Sequence, residues 1–497
     1  MSSTNEFCIS ILPRNEDELR VLLPKCQDCD LIEIRFDYLR EPNLKLVSQH
    51  RTKPVIITIR TKEEGGFYTG SSTELIRIYQ QVIDSGTDYI DISQEAAEKI
   101  LPRLKLNNRT RLILSCHSRE SNLTNLKRKL DEMTRVKPDV YKLVFQAESL
   151  NDNIAALHLI DYAKTLNIPF VIHAQGEEGK LSRIIGSFRG NLWTYVSLTD
   201  QKETAPGQLS IEEATDQYYL HEKNTDTRII GLVGYPIAQS RGWKLYNKIF
   251  HLLDQSDSKL LLNIIYLNFP VTDVTEFWEK WQDQIDGLSV TIPHKGDILQ
   301  YANRKSKEVE SSGVCNTLLR KHDSWEAYNV DLLAMTELLK PYKRQLNEGA
   351  VLIFGTGATT RSAIAALQNL GIQRIYLTGR NKEKGRLLAE SFSITFLVGD
   401  ANPPDLSAII QTTPVGMYPN VEAIPPCAKH LKKGMIVFDV VPNPTVTRFL
   451  QTAKEMGCIT IFGEEMYLHQ AVKQFELFTG VSISVDYVKN IWNEMFV

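Results

Sequence analysis

The sequence predicts an α/β protein of two or three domains, and three observations carry that prediction. Short apolar runs alternate with amphipathic helical patterns about eight times over residues 1–220. In the second half a five-residue apolar run, Ala350–Phe354, leads through Gly355-Thr356-Gly357 into a helical pattern. The chain, at 497 residues, is longer than one hydrophobic core normally serves.

The runs of the first half are Phe7–Ile11, Leu31–Phe36, Pro54–Ile59, Tyr89–Ile92, Arg111–Cys116, Val140–Phe145, Phe170–Ile172 and Trp193–Val196. Helical patterns such as Glu74–Ile83 and Asn153–Leu166 separate them. This alternation is the mark of a (β/α)8 (TIM) barrel, with a doubly wound sheet as the alternative. In a barrel, chemistry gathers at the C-terminal ends of the strands. Polar residues stand there in number. Glu33, Arg35 and Asp37 alternate with Ile34 and Phe36 and so share one face. Arg60 ends the third run, with Glu64-Gly65-Gly66 behind it, Asp91 lies in the fourth, and His117 ends the fifth. Lys142 lies inside the sixth, Arg183 follows the seventh, and Ala205-Pro-Gly-Gln208 follows the eighth.

Lys142 is the most informative of these. Desolvation disfavours the charged form of an amine and frees it as a nucleophile, the requirement for a Schiff base with a ketone. His117 on the neighbouring strand suits a proton shuttle, which Glu64 would orient. Arg60 and Arg183 suit an anionic substrate.

The glycine turn of the second half lacks the third glycine of G-x-G-x-x-G, Thr360 standing there. Strand, turn and helix together still aim backbone N–H groups at a phosphate, as in a Rossmann lobe. The following strand, Arg374–Thr378, ends in Gly379-Arg380-Asn381 where an NAD site would carry a carboxylate. A guanidinium pairs with a 2′-phosphate, so NADP is expected rather than NAD. Val314–Leu318 and Ala327–Asp331 read as further short strands with polar ends, and Thr291, Lys295, Asn316, Asn329 and Asp331 gather at strand ends. A Lys–Asp pair can donate a proton to a carbonyl oxygen as a hydride reaches its carbon.

Composition narrows the function classes. A net charge of −3 gives no footprint for nucleic acid. No apolar run approaches the roughly 20 residues of a membrane span. Met1–Glu6 lacks the pattern of a signal peptide or transit sequence, so a cytoplasmic protein is expected. The seven cysteines are scattered, and Cys26-Gln-Asp-Cys29 has no second pair, so neither disulfides nor a metal are expected.

Two resemblances sharpen this reading. Glu33-Ile-Arg35-Phe-Asp37, Thr58-Ile-Arg60 with Glu64-Gly-Gly, Ser115-Cys-His117, Tyr141-Lys142, Ser182-Arg183 and Ala205-Pro-Gly-Gln208 resemble the type I 3-dehydroquinate dehydratases. The resemblance implies that Lys142 forms an imine with 3-dehydroquinate, that His117 moves the proton, and that Arg183 grips the carboxylate. Glu33, Arg35, Arg60, Glu64 and Gln208 would bind hydroxyls or order the site. The family's second carboxylate after Asp91-Ile is replaced by Ser93.

Thr291-Ile-Pro-His-Lys295, Val314-Cys-Asn316-Thr, Asn329-Val-Asp331, Gly355-Thr-Gly-Ala358, Thr412-Thr-Pro-Val-Gly-Met417 and Met466-Tyr-Leu-His-Gln470-Ala are similar to shikimate dehydrogenase. This implies a two-lobed dehydrogenase with Lys295 and Asp331 as the catalytic pair. Ser240, Thr291, Asn316 and Gln470 would hold substrate. Gly355, Thr356, Gly357, Ala358, Arg380, Thr413, Met417 and Gly463 would hold NADP. The family's Ser-x-Ser-Pro loop reads Ser240-Arg-Gly242-Trp243 here, and a family tyrosine after the Asp439 strand is Pro442. Losing the hydroxyl at Gly242 would weaken binding by roughly 1–3 kcal/mol. It would also leave room for tetrahedral C1 of quinate, with Trp243 as the side chain that refills the space.

The expected organisation is a dehydratase barrel over 1–220, a linker over 221–228, a substrate lobe over 229–340 plus 471–497, and a nucleotide lobe over 341–470. The final helix, Val485–Phe496, is expected to pack on the substrate lobe. The product of the first half is the substrate of the second, so a bifunctional shikimate-pathway enzyme is expected. The alternative is an active dehydratase with an impaired or quinate-directed second half. Small molecules are the expected partners of a monomer or homodimer.

Overall fold

The computed structural model describes residues 5–39, 42–199, 204–256, 262–398, 403 and 405–496. Met1–Thr4 of the N-terminal stretch read above lie outside them. The chain divides into two compact units. One comprises Met1–Arg228, Phe250–Leu267 and Glu276–Asp283, and the other comprises Ile229–Ile249, Asn268–Thr275 and Gln284–Val497.

Each of the eight apolar runs of the first half forms a strand. They are β1 (Glu6–Ile11), β2 (Leu31–Arg35), β3 (Val55–Thr58), β4 (Tyr89–Ser93), β5 (Arg111–Ser118), β6 (Val140–Gln146), β7 (Phe170–Gln175) and β8 (Trp193–Ser197). A two-residue strand, β9 (Leu209–Ser210), follows. The parallel sheet runs β7-β6-β5-β4-β3-β2-β1-β8-β9, which brings β8 back onto β1. No ladder pairs β7 with β8 among the described residues, and Leu192 N–H to Phe170 O at 3.0 Å links their starts. The order is that of a (β/α)8 barrel, not of a doubly wound sheet.

Register explains the interior. Cys8, Leu31, Ile56, Tyr89, Ile113, Val140, Val171 and Trp193, one from each strand, form a buried apolar layer. Two residues further along each strand, on the same face, stand Ser10, Glu33, Thr58, Asp91, Ser115, Lys142, His173 and Tyr195. The barrel therefore changes from an apolar plug to a polar layer within one pleat.

Outer helices bury their apolar faces. Ser72–Asp84 starts at a capping box, in which Ser71 Oγ accepts the Glu74 N–H (3.3 Å) and the Glu74 carboxylate accepts the Ser71 N–H (2.7 Å). Leu75, Ile78, Tyr79, Val82 and Ile83 then face inward. The expected linker is bonded rather than loose. Leu220–Glu222 forms a 3-10 turn, and Asn5 Nδ2 donates to Leu220 O (2.5 Å) and Lys223 O (2.7 Å).

Two six-stranded sheets follow. The first contains β10 (Arg228–Gly234), β11 (Ile264–Pro270), β12 (Gly287–Val290), β13 (Arg304–Lys305), β14 (Thr317–Lys321) and β15 (Ser324–Tyr328), in the order β11-β10-β12-β14-β15-β13. It is mixed, because β12, β14 and β15 pair antiparallel. Two expectations shift here. Cys315 and Asn316 precede β14 rather than lie in it. Asn329 and Asp331, read above as strand, start a helix, Val330–Leu339, capped by Asn329 Oδ1 on the Leu332 N–H (3.1 Å).

The second sheet is wholly parallel and takes the order β18-β17-β16-β19-β20-β21. Its strands are β16 (Ala350–Phe354), β17 (Ile375–Thr378), β18 (Thr395–Phe396), β19 (Leu406–Gln411), β20 (Ile436–Asp439) and β21 (Ile459–Ile461). Apolar clusters cover both of its faces, as an α/β sheet requires. The final helix, Val485–Phe496, sets Trp492 against Tyr467 and Phe496 beneath Arg241. No helix among the described residues is long and apolar enough to cross a membrane. Cys26 and Cys29 are buried, with their thiols on the Leu22 and Cys26 carbonyls.

At the end of β20, Asp439 accepts from Thr447 Oγ1 (2.6 Å) and the Val441 N–H (3.1 Å). Burial pushes its carboxyl up to about 6 against these bonds. The folded chain therefore binds a proton more tightly than the unfolded one, and stability falls as pH rises from about 4 to 6. Asp439→Asn should raise the melting temperature at pH 7.5, by up to about 3 kcal/mol in stability. The advantage should shrink as pH falls through about 6 and vanish near 4, as thermal melts across pH would show.

Candidate active sites

In the barrel, a single pocket is lined by Glu33, Arg35, Thr58, Arg60, His117, Lys142, His173, Arg183, Tyr195 and Gln208, among others. Lys142 is 6% exposed. Its Nζ lies 3.0 Å from Asp91 Oδ2 and 3.3 Å from Glu33 Oε1, and 4.1 Å above the Tyr195 ring. The sequence predicts an apolar seat for this amine. The structure corrects that, because two carboxylates flank it.

Each carboxylate is itself held. Glu33 accepts from Ser10 Oγ (2.5 Å) and Thr58 Oγ1 (2.8 Å). Asp91 accepts from Arg60 Nη2 and Ser115 Oγ, both at 2.6 Å. Burial alone would raise the Asp91 carboxyl, but Arg60 and Lys142 outweigh it and hold it well below the usual carboxylate range. Glu33 is lowered in the same way, with Lys142 and Arg35 overcoming burial. Two buried cations and two buried anions thus compensate one another.

Arg35 pairs with Asp37, which also accepts the Arg60 N–H at 3.1 Å. Gly66 lets the loop after β3 fold back, since a Cβ there would fall 2.3 Å from the Arg60 carbonyl. Glu64 lies outside the pocket lining, and its carboxylate accepts the Thr61 N–H (2.8 Å). Ser93 caps the helix Gln94–Ile100 through the Ala96 N–H (3.2 Å). Gln208 is buried and accepts from Thr204. Its loop is anchored where Gly176 N–H donates to Pro206 O (3.1 Å).

His117 opens to solvent through the pocket mouth but is ringed by protein and cations. That crowding, then Arg60 and Lys142, hold its pKa well below the usual histidine value against the pull of Asp91. His173 and Tyr195 also line the pocket, and sequence reasoning missed both. His173 is buried, and burial, then Arg183 and Lys142, depress its pKa likewise.

The other site gathers around Asp331. Its Oδ2 pairs with Lys295 Nζ, and its Oδ1 accepts Asn316 Nδ2 at 2.8 Å. Asn316 Oδ1 in turn accepts the Val330 N–H (2.9 Å). Gln474, also missed, donates to Asn316 O (3.1 Å) and Thr317 Oγ1 (2.8 Å), and accepts from Tyr246 and Ser289 hydroxyls at 3.0 Å. Gln470 lies one turn earlier on the same helix, half-buried. Thr291 follows β12, its N–H on Val233 O (3.0 Å). Ser240 Oγ accepts the Gly242 N–H at 3.4 Å.

The glycine turn fits a dinucleotide phosphate. Gly355 has φ +138°, and a Cβ there would meet Thr412 Oγ1 at 2.3 Å. A Cβ on Gly357 would meet nothing within 4 Å, so the backbone is open to close approach. Thr360, in place of a third glycine, closes the turn from inside, accepting the Gly357 N–H (3.1 Å) and bonding Thr412 (2.8 Å). Thr356 and Ala358 flank Gly357, and Ala358 begins the helix Ala358–Asn369. A Cβ on Gly379 would lie 2.9 Å from Thr356, so the end of β17 abuts the turn and exposed Arg380 stands beside it. Asn329 Nδ2 donates to Ser362 Oγ (2.9 Å), tying the Asp331 helix to the helix that follows the turn. Thr413 is pinned to Gln411, and Met417 is half-buried behind it. Gly463 packs against Val441, where a Cβ would fall 2.2 Å from the carbonyl.

Residues 7–225 match the family model for type I 3-dehydroquinase, and residues 232–318 match that for the shikimate dehydrogenase substrate binding domain. The shikimate dehydrogenase (NADP(+)) of Maridesulfovibrio salexigens is 34% identical over 261 residues, 52% of this chain and 93% of that protein. Through its second half the chain belongs to the shikimate dehydrogenase family, and its first half is a type I 3-dehydroquinase domain. The chloroplastic bifunctional 3-dehydroquinate dehydratase/shikimate dehydrogenase of Arabidopsis thaliana is 28% identical, over 96% of this chain and 82% of that one. A solved shikimate dehydrogenase in complex with NADP+ is 26% identical, with a TM-score of 0.49 over 55% of this chain and 98% of that one.

Within the dehydrogenase half, Pro442 is exposed in the loop after β20. A Cβ at Gly242 would meet the Tyr467 hydroxyl at 3.2 Å and Ser240 Oγ at 3.6 Å. In the dehydroquinase half, His117 and His173 should both be neutral at pH 6.5. Imidazole 15N shifts should show neither charging until pH falls well below the ordinary value of about 6.5.

Proposed function

We propose that the two sites act in series, the barrel dehydrating 3-dehydroquinate to 3-dehydroshikimate and the second half reducing that product to shikimate with NADPH. The chain is a bifunctional 3-dehydroquinate dehydratase and shikimate dehydrogenase of the shikimate pathway. The carrying observation is Lys142, a buried amine in a pocket with His117 and His173, in a chain that also holds a Lys295–Asp331 pair and a glycine turn whose backbone is open to close approach.

In the barrel, Lys142 first passes its ammonium proton to a pocket histidine, attacks the C3 ketone as the free amine, and the resulting carbinolamine loses water to form the imine. His117, neutral by virtue of its surroundings, takes the C2 proton and returns it to the departing C1 hydroxyl. Arg183 holds the carboxylate, while Glu33, Arg35, Arg60, Glu64 and Gln208 bind hydroxyls or order the pocket. In the second half NADPH, when bound, supplies a hydride. Lys295 donates the proton to the carbonyl oxygen, with Asp331 holding its ammonium in place. Ser240, Thr291, Asn316 and Gln470 hold the substrate. Gly355, Thr356, Gly357 and Ala358 would hold the pyrophosphate of NADPH, Thr413, Met417 and Gly463 would border its nicotinamide, and Arg380 would pair with its 2′-phosphate.

We assign 1–220 to the dehydratase, 229–340 with 471–497 to the substrate lobe and 341–470 to the nucleotide lobe, with 221–228 joining the halves. The spans of the three sheets support the cuts near 220–228 and at 340, and the helix Gly463–Thr479 runs across 470 from one lobe to the other. We further propose a cytoplasmic monomer or homodimer acting on small molecules, a reading supported by the near-neutral charge.

Purified protein given 3-dehydroquinate and NADPH should consume NADPH and yield shikimate by mass. Quinate as product would move the assignment to a quinate-directed second half, and 3-dehydroshikimate with NADPH untouched to an impaired one. Lys142→Ala should abolish dehydration yet leave shikimate oxidation within about twofold; parallel loss of both would contradict independent sites. Arg380→Ser should weaken NADPH binding by roughly tenfold while leaving NADH binding nearly unchanged, as fluorescence titration would read.

A further inference from the structure

The phenol of Tyr467 stands where Gly242 carries no side chain. We propose that its hydroxyl is a substrate-positioning group, donating to the substrate carboxylate together with Ser240 in place of the side chain that Gly242 lacks. This rests on the dehydrogenase reading of the second half.

Three observations carry it. The first is direction. Tyr467, Gln470 and Gln474 fall at i, i+3 and i+7 on the helix Gly463–Thr479 and so share a face. Gln474 on that face bonds Asn316, the residue that holds Asp331. The second is position. A Cβ on Gly242 would lie 3.2 Å from the Tyr467 hydroxyl oxygen and 3.6 Å from Ser240 Oγ, so the phenol tip occupies the space of a residue-242 side chain. The third is an unmet bond. The Tyr467 hydroxyl is buried and has no hydrogen-bond partner among the described residues, an arrangement that costs stability unless a ligand completes it.

The chemistry selects the ligand group. Burial pushes the phenol pKa up, so the hydroxyl keeps its proton and can donate. Ser240 Oγ accepts the Gly242 N–H and retains its own proton to donate outward. Two converging O–H donors match the two oxygens of a carboxylate. Trp492 packs on the Tyr467 ring, 5.0 Å between centroids, and limits its swing.

The test is a cycle of Tyr467→Phe, Gly242→Ser and the double variant, assayed for NADP+-linked oxidation of shikimate and of its methyl ester. Tyr467→Phe should raise KM for shikimate about tenfold with kcat within about twofold. With the ester, wild type and variant should converge to within about twofold. Gly242→Ser should harm the wild type, where its Cβ meets the phenol oxygen, but restore KM in the Tyr467→Phe background. NADPH binding and dehydratase activity report that the variants fold. A KM unchanged by Tyr467→Phe, or an equal loss on acid and ester, overturns this proposal alone. Absence of shikimate oxidation in the wild type overturns the dehydrogenase reading and the proposal with it.

Discussion

The first half depends on a balance of buried charge. Lys142, Arg60, Glu33 and Asp91 lie in the barrel interior, where an unpaired ion would be costly. Each is held by at least one opposite charge, and the carboxylates are further bonded by Ser10, Thr58 and Ser115. Removing one member strands its partners, so the polar layer behaves as a unit. The apolar layer beneath closes the barrel floor and leaves the mouth as the way in. Strand pairing supplies this arrangement, because parallel register sets the height of each side chain.

The second half solves the same problem with hydrogen bonds to helix starts and loop ends. Asp331 sits in the first turn of its helix, held by Asn316, which also bonds the helix N-terminus. Asn329 caps that helix with its oxygen and reaches the glycine-turn helix with its amide. One asparagine therefore ties the helix that carries Asp331 to the helix that follows the glycine turn. Gln474 adds a third support from the C-terminal part of the chain, bonding Asn316 and Thr317. Neutral donors surround the Lys295–Asp331 pair, in which Asp331 is buried and Lys295 keeps some exposure.

Much of the fold was legible from periodicity. Eight apolar runs became eight strands because β-branched and apolar residues buried on both sides leave little choice of structure. The glycine turn was legible for a steric reason: only glycine fits Gly355 against Thr412. The strand reading of Ala327–Asp331 failed at Asn329, whose capping side chain outweighed the preceding extended pattern. His173 and Tyr195 escaped notice because single residues within apolar runs carry no signal by themselves. Their place follows from the apolar layer plus two, a register known only once the strands are aligned.

By itself, the sequence determined the strand and helix periods, the glycines that sterics require, and the chemical types available at strand ends. Those are local properties, set by backbone geometry and side-chain polarity. Tertiary structure decided which groups meet. It placed Asp91 and Glu33 about Lys142, drew Gln474 to Asn316 across 158 positions of chain, and put the Tyr467 hydroxyl beside Gly242. Such encounters depend on register and packing summed over distant segments, and spacing along the chain does not encode them.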